Sequence, residues 1–163
     1  MLAQNQEGHA LVRVLQMPEQ ELGKLAGLTH ARVIARHEDK VLLVFDRHDQ
    51  RWQLAGGAIE AKESARECAA RELHEESSNA CEPSELRFSS AFELLVGPTR
   101  FNPETHTEFG ALYQVDIDHI ASFIPHAEIG ATLWWNGSEL SHELDGIDRK
   151  LIDVASSLDQ RVA

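Results

Sequence analysis

The chain has 163 residues, of which 42% are hydrophobic and 26% are charged. This length and composition indicate one globular domain and exclude an intrinsically disordered chain. A formal net charge of −12, from 15 basic and 27 acidic residues, repels nucleic-acid backbones and anionic membranes, so neither a nucleic acid polymer nor a membrane is expected as a partner. Small anionic substrates stay compatible with this charge, because a bound divalent cation can reverse the local field.

Cysteine usage and the N-terminal segment indicate the compartment. Cys68 and Cys81 form no CxxC motif, which favours a reduced compartment over a disulfide framework. Residues 1–10 lack the basic and apolar regions of a signal peptide. The longest aliphatic or aromatic run, Val41–Phe45, is far shorter than a membrane span. We therefore expect a cytoplasmic protein in which residues 1–8 are flexible.

The first third of the chain predicts four strands and one short helix. Apolar segments bounded by polar residues are typical of strands, and they lie at Leu11–Leu15, Ala31–Arg36, Lys40–Phe45 and Trp52–Leu54. Pro18, the acids that follow it and Gly27 predict a short helix. The short polar connection between the second and third strands predicts a hairpin, and the Gly56-Gly57 pair predicts the end of the fourth strand.

The rest of the chain predicts two longer helices and three strands. Ser64 and Glu67 form an S-x-x-E capping box that begins a helix, and its apolar stripe consists of Ala65, Ala69, Ala70 and Leu73. Strands are predicted at Leu86–Leu95, Thr107–Val115 and Ala131–Trp135, followed by an amphipathic helix at about 145–160. Such a mixture of hairpin-connected strands and few helices predicts an α+β protein or an α/β/α sandwich.

Three glutamates on the Ser64 helix are the strongest candidates for a functional site. Glu72, Glu75 and Glu76 stand at i, i+3 and i+4, so they share one face of the helix. Like charges at this spacing destabilise a bare helix, whereas a hard divalent cation such as Mg²⁺ binds carboxylate oxygens and bridges to phosphates. Taken alone, the three glutamates leave a solvated acidic face as an alternative.

The segment around these glutamates resembles the Nudix box, the signature of the MutT-like Nudix hydrolases. That pattern runs G-x5-E-x7-R-E-U-x-E-E-x-G-U, where U is a bulky aliphatic residue, and it is matched by Gly57, Glu63, Arg71, Glu72, Leu73, Glu75 and Glu76. The predicted loop and helix are the context that the motif requires. Ser78 replaces the last glycine, Asn79 the last aliphatic residue, and Ala55 a common proline. That glycine suits the left-handed turn at a helix end; serine tolerates this backbone less well, although Asn79 can adopt it one residue later.

The resemblance implies a fold and an activity. The fold is a Nudix-type α/β/α sandwich with a mixed, largely antiparallel sheet, formed by residues 1–163 as a single domain with the box at 57–78. The activity is that of a Mg²⁺-dependent hydrolase, with Mn²⁺ as a substitute, that cleaves the pyrophosphate bond of a small nucleoside diphosphate linked to another moiety. The expected partner is thus a small nucleotide-type substrate, and the resemblance is compatible with a homodimer.

The resemblance also implies roles at the matched positions. Metal ligands are expected at Glu72, Glu75, Glu76 and the backbone carbonyl of Gly56. Pyrophosphate cleavage needs such a site because cations neutralise the charge that develops on phosphate oxygens. Structural support of the site is expected from Gly57, Glu63 and Arg71, the last through its planar guanidinium fork.

The general base is left open by the sequence. Family members place a further glutamate a few residues before a tryptophan-bearing strand, and Glu128 lies in that position relative to Trp134. We therefore expect Glu128 to be catalytic together with Glu75 and Glu76, because geometry decides which acid accepts the proton. Glu76 is the alternative base, and two further acids are spare candidates, Glu104 and Glu108.

Substrate selection is assigned to the loop Gly97–His106, where long irregular segments often carry ligand contacts. In it, Arg100 could clamp a phosphate and Phe101 could stack on a base, or both could be ordinary loop residues. A different class of function is a catalytically weak Nudix-fold module that binds or senses a nucleotide, which Ser78 and Asn79 motivate. An isomerase acting on isopentenyl diphosphate is a third reading, for which the catalytic cysteine context is missing.

Overall fold

Nine strands of one sheet and two helices make up most of residues 1–162, the part of the chain that the computed structural model describes. The strands are β1 (Ala3–Gln4), β2 (Ala10–Leu15), β3 (Leu28–His37), β4 (Lys40–Asp46), β5 (Arg51–Gln53), β6 (Ala55–Ala58), β7 (Arg87–Val96), β8 (His106–Asp116) and β9 (Ile129–Trp135). The helices are α1 (Ala65–Ser77) and α2 (Gly146–Val162), with short 3-10 helices at Glu19–Lys24 and Pro83–Glu85. No helix within residues 1–162 has the length and apolar character needed to span a membrane.

The strand order is β1-β2-β7-β8-β3-β4-β5, with β6 paired to β3 and β9 paired to β4. Strand β3 runs parallel to β8, and the other pairs of named strands are antiparallel. The predicted mixed, largely antiparallel sheet is therefore confirmed. The second edge of β3 is divided, because its residues 30–33 pair with β6 and only its last two residues pair with β4.

The two helices cover opposite faces of the sheet, and each buries its own hydrophobic cluster. Alternate residues of a strand face opposite sides, so Val33 packs in the cluster under α1 with Cys68 and Leu73. Its neighbour Ile34 packs in the cluster under α2, where Leu151 is fully buried. This arrangement of helix, sheet and helix confirms the predicted α/β/α sandwich.

The predicted start of α1 is confirmed, and Ser78 forms the left-handed end of the helix in place of the glycine. The amide of Glu67 donates to Ser64 Oγ at 3.1 Å, and the amide of Ser64 donates to Glu67 Oε2 at 2.8 Å, which completes the capping box. Ser78 itself adopts the left-handed backbone, with φ of 65°. Asn79 does not have a positive φ, and its buried side chain accepts a hydrogen bond from the amide of Ala121 at 2.9 Å.

The Gly56-Gly57 pair does not end a strand, which corrects the sequence-based prediction. Strand β5 already ends at Gln53, and both glycines lie within β6. A Cβ atom at Gly56 would lie 2.3 Å from the carbonyl oxygen of Ala31, and one at Gly57 would lie 2.3 Å from Glu72 Oε1. Close approach to the backbone of Ala31, rather than a turn, therefore requires glycine at position 56, and glycine at position 57 leaves room for the Glu72 side chain. The short helix predicted after Pro18 is confirmed and is the 3-10 helix Glu19–Lys24.

Candidate active site

Strand β6 turns alternate backbone groups away from its partner β3. In an antiparallel pair only every second residue exchanges hydrogen bonds, and the amide of Ile59 donates to the carbonyl of Thr29 at 2.9 Å. Because the same register places Gly56 opposite Arg32, the N–H and C=O groups of Gly56 and of Ala58 point outward. Two side chains of α1 meet these outward groups, Glu76 at the amide of Gly56 and Arg71 at the carbonyl of Ala58.

Glu76 is the buried member of the three glutamates on α1. Only 5% of its surface is exposed, and its Oε1 accepts a hydrogen bond from the amide of Gly56 at 2.7 Å. Burial raises the pKa of Glu76 to about 8, against the opposing influence of the Gly56 amide and the Arg32 guanidinium. The residue thus places a carboxyl group directly beside the outward edge of β6.

Arg71 joins α1 to the loop that precedes it. Its Nε and Nη2 atoms lie 2.7 and 2.9 Å from the two carboxylate oxygens of Glu63, which is a bidentate pair. Nη2 also donates to the outward carbonyl of Ala58 at 3.1 Å. The hydrogen bond from Arg71 holds the pKa of Glu63 down to about 2. The pair has the geometry of a support that fixes the loop and β6 relative to the helix.

Glu72 and Glu75 share the remaining nitrogen of the same arginine. Arg71 Nη1 donates to Glu72 Oε1 at 2.9 Å and to Glu75 Oε2 at 3.1 Å. The Glu72 side chain is 15% exposed, whereas that of Glu75 is 57% exposed. Burial raises the pKa of Glu72 despite the neighbouring Arg71 charge. The three glutamates therefore lie on one face of α1, as their spacing predicts.

The fit of these residues to a divalent cation can be tested on their donor atoms. Among residues 1–162, no three His, Cys, Asp or Glu side chains converge as a ready-made metal site. Glu72 and Glu75 are turned to Arg71, and Glu76 is turned to the Gly56 amide. The available donors are nevertheless all oxygens, three carboxylates and the outward carbonyl of Gly56, which is the set that a hard cation takes. A cation can therefore be held here once Glu72 and Glu75 release Arg71 and bind the cation instead.

Glu128 lies immediately before β9. Its carbonyl accepts a hydrogen bond from the amide of Arg47 at 2.9 Å, and its side chain is exposed. The negative charge of Glu128 contributes to the raised pKa of Glu72, which indicates that the two carboxylates are near one another. The spare candidate Glu108 instead binds Thr29 and His106, each at 2.8 Å.

A cleft leads from the glycines of β6 across the sheet to the beginning of α2. Its outer part is bordered by Gly57 and Ala58, and its inner part has a volume of about 140 Å³. Both parts share four lining residues, His9, His30, Arg32 and Leu94. Neither Arg100 nor the spare acid Glu104 lines it.

The inner end of the cleft is closed by a network around Arg51. The Arg51 side chain is 8% exposed, and its Nε lies 3.2 Å from Asp145 Oδ2. Its Nη2 lies 3.3 Å from both Glu7 and Asp49. Asn5 also reaches Asp145, at 3.3 Å. Residues near the N-terminus, which pair through β1 with β2, thus form part of the cleft wall.

Arg100 and Phe101 are brought to each other in the β7–β8 loop and not to the cleft. The Arg100 guanidinium carbon lies 4.5 Å from the centre of the Phe101 ring, which is 83% exposed as a residue. Neither residue borders the cleft described above. Their contribution to substrate binding stays a prediction.

Asp148 is a buried residue near the site that the sequence-based reasoning missed. It is 2% exposed, its Oδ2 accepts from the amide of Leu54 at 2.8 Å, and its Oδ1 lies 3.4 Å from Arg32 Nε. Burial raises its pKa to about 6. The signal was present in the sequence, because Asp148 falls on the apolar stripe of α2 between Ile147 and Leu151.

Solved structures with this fold include several proteins of low sequence identity. A mutant of the Bacillus subtilis pyrophosphohydrolase BsRppH is 16% identical, with 100% of this chain and 98% of that chain covered and a TM-score of 0.74. A MutT NUDIX hydrolase from Burkholderia pseudomallei is 16% identical, with 79% and 98% covered and a TM-score of 0.62. A bifunctional NMN adenylyltransferase/ADP ribose pyrophosphatase from Francisella tularensis, complexed with AMP and a Mn ion, is 15% identical, with 85% and 45% covered and a TM-score of 0.59.

The sequence matches the family model of the NUDIX domain over residues 28–154. A comparison with curated proteins found no match. The structural neighbours and the family match agree with the prediction of a Nudix-type pyrophosphohydrolase, which was made from the box residues. The chain belongs to the NUDIX domain family.

Proposed function

We propose that this protein is a Mg²⁺-dependent hydrolase that cleaves the pyrophosphate bond of a small nucleoside diphosphate linked to another moiety. The observation that carries the proposal is the position of Glu76 beside the outward backbone of Gly56, with Glu72 on the same helix face. Oxygen donors in this number suit a cation that also binds phosphate. The match to the NUDIX domain adds weight to it.

The ligands assigned to the cation are the carboxylates of Glu72, Glu75 and Glu76 and the carbonyl of Gly56. When bound, the cation neutralises charge on the phosphate oxygens and lowers the pKa of the attacking water. Mn²⁺ is a suitable substitute because it takes the same oxygen ligands, and the Francisella tularensis relative is complexed with a Mn ion. Gly57, whose missing side chain leaves room for Glu72, and the Glu63–Arg71 pair hold these residues in place.

Glu128 is our candidate for the general base. It is exposed at the side of the site, where an incoming water can reach it, and the structure shows no side-chain partner that would withhold its carboxylate within residues 1–162. Glu76 suits this role less, because it is buried and already bound to the Gly56 amide. Glu75 and Glu76 belong to the catalytic set as ligands of the cation.

The cleft is the proposed place for the part of the substrate that is not phosphate. Its inner end offers both donors and acceptors, from the side chains of Asn5, Arg51 and Asp145. Acidic residues outnumber arginines there, so the lining favours an uncharged, hydrogen-bonding group such as a base or a sugar over a further phosphate. The AMP complex of the Francisella tularensis relative is consistent with a nucleotide-type substrate.

The proposal is tested by phosphate release from a panel of nucleoside triphosphates, dinucleoside polyphosphates and nucleotide sugars, with a coupled phosphatase and with or without Mg²⁺. Wild-type protein is compared with Glu76→Gln and with Asp153→Asn, a control at an exposed position of α2. We expect Mg²⁺-dependent turnover of one compound class, lost in Glu76→Gln and kept in the control. Folded protein that binds a nucleotide with no turnover would support the binding or sensing module instead.

A further inference from the structure

The outward edge of the segment 54–58 is held from both helix layers of the sandwich. The amide of Gly56 donates to Glu76 of α1 at 2.7 Å, and the amide of Leu54, two residues earlier, donates to Asp148 of α2 at 2.8 Å. Residues two apart in a strand direct their amides to the same side. Within residues 1–162, no strand pairs with this edge of β6. Two buried carboxylates therefore take the hydrogen bonds that a neighbouring strand would otherwise supply.

Arg32 supplies positive charge that offsets the two buried carboxylates of Glu76 and Asp148. It lies opposite Gly56 in the register of β3 and β6, and its Nε is 3.4 Å from Asp148 Oδ1. Its positive charge also acts on Glu76, whose pKa it lowers against the effect of burial. A buried carboxylate is costly unless it is paired and hydrogen-bonded. Asp148 meets both conditions through Arg32 and the Leu54 amide.

We propose that Asp148 is a positioning residue that fixes the backbone of residues 54–56 and thereby the carbonyl of Gly56 in the cation site. The inference rests on the proposed function of that site. Glycine leaves the backbone unusually free, and Gly56 and Gly57 follow directly after Leu54 and Ala55. The hydrogen bonds to the amides of Leu54 and Gly56, both on the outward edge, limit that freedom before any cation binds. Interactions of this kind, one step behind the ligands, commonly change metal affinity about 10- to 100-fold when removed.

The test uses the full-length protein without substrate. Hydrogen exchange of the Leu54 amide is measured by NMR in the metal-free protein, and the Mn²⁺ dissociation constant is measured by electron paramagnetic resonance. For Asp148→Ala we expect faster exchange at Leu54 and Mn²⁺ binding weakened by about tenfold or more. The control Asp153→Ala lies on the exposed face of the same helix and should leave both quantities unchanged.

A second variant separates positioning from charge and serves if Asp148→Ala does not fold. The amide oxygen of Asp148→Asn can still accept from Leu54, but the negative charge toward Arg32 is lost. If Asp148 acts by positioning, a variant whose Leu54 amide exchanges faster must bind Mn²⁺ more weakly. A variant that keeps the protection of the Leu54 amide must keep its Mn²⁺ affinity. Loss of protection with unchanged Mn²⁺ affinity would overturn the proposal. It would also be overturned by weakened affinity with protection intact, or by intact protection in Asp148→Ala.

The same measurements distinguish this inference from the proposed function. A wild-type protein that does not bind Mn²⁺ contradicts the proposed cation site, and the role of Asp148 with it. If the wild-type protein and Asp148→Ala bind Mn²⁺ equally tightly, only the positioning role is contradicted. Neither result depends on knowing the substrate.

Discussion

The carboxylate of Glu76 accepts a hydrogen bond from the amide of Gly56 at 2.7 Å, across 20 positions of the sequence. This bond joins the middle layer of the sandwich to the last turn of α1, at a point where the strand backbone turns away from β3. It places the Glu76 carboxylate next to the backbone of Gly56, so the groups that face each other belong to a helix and a strand rather than to a loop. The proposed cation site is thus built on a strand and a helix, which hold geometry more tightly than loops do.

Replacement of Glu76 by glutamine should separate catalysis from folding. The glutamine oxygen can still accept from the Gly56 amide, while the negative charge needed for the cation is lost. We expect kcat to fall by about 100-fold or more, with a melting temperature close to that of the wild type because the hydrogen bond from the Gly56 amide is kept. Steady-state kinetics with Mg²⁺ and thermal unfolding check both parts. A kcat close to that of the wild type would contradict the assignment of Glu76.

Replacement of Gly57 by alanine should weaken cation binding with little loss of stability. The added Cβ would lie 2.3 Å from Glu72 Oε1, so the flexible glutamate must move away. We expect the Mn²⁺ dissociation constant to rise by about tenfold. Gly23→Ala is the matched control, because nothing lies within 4 Å of the added atom there. Equal Mn²⁺ affinity in the two variants would show that Glu72 is not a ligand.

Replacement of Arg71 by lysine should destabilise the fold where the loop that carries Glu63 is joined to α1. Lysine cannot form the paired contacts to the two oxygens of Glu63. We expect a loss of about 1–3 kcal/mol in the free energy of unfolding, as for other charge-assisted hydrogen bonds. Glu75→Gln, at a side chain that is 57% exposed, should cost less than about 0.5 kcal/mol. Urea denaturation of both variants gives the comparison, and equal stabilities would refute a supporting role for Arg71.

Replacement of Glu128 by glutamine should lower kcat and leave the cation in place. The negative charge of Glu128 acts on Glu72, and among residues 1–162 its side chain takes no part in the hydrogen bonds of the box. We expect kcat to fall by about 100-fold, as for loss of a general base, and the Mn²⁺ dissociation constant to stay within about twofold. Weakened Mn²⁺ binding would make Glu128 a ligand instead. An unchanged kcat would move the base to another acid.

Acid should destabilise the protein through His30. Burial lowers the pKa of His30 from 6.5 to about 3. Below pH 6.5 His30 is therefore protonated in the unfolded chain but stays neutral in the folded protein. The free energy of unfolding should therefore fall as the pH drops from 6.5 towards 3, by about 2 kcal/mol at pH 5. In His30→Asn this contribution is absent. Urea denaturation at pH 7 and pH 5 measures the difference, and parallel behaviour of the two proteins would disprove it.

The helix of the Nudix box could be predicted from the sequence because the interactions that form it are local. The capping box fixes where α1 begins, and helical periodicity then places Glu72, Glu75 and Glu76 on one face whatever surrounds them. Seven of the nine strands and the amphipathic C-terminal helix were also predicted to within a few residues, whereas β1 and β6 were not predicted. Hydrophobic patterning determines such elements with no knowledge of their neighbours.

The reason for glycine at positions 56 and 57, and the partners of Asp148, depend on residues far away in the sequence. Gly57 leaves room for a carboxylate on α1, and Asp148 meets the Leu54 amide across 94 positions. No periodicity records contacts of this kind, because they exist only when both helices are docked on the sheet. The sequence by itself determined the helix that carries the acids. The tertiary structure alone decided how the strand beside them is held, since its outward amides find partners only in the folded sandwich.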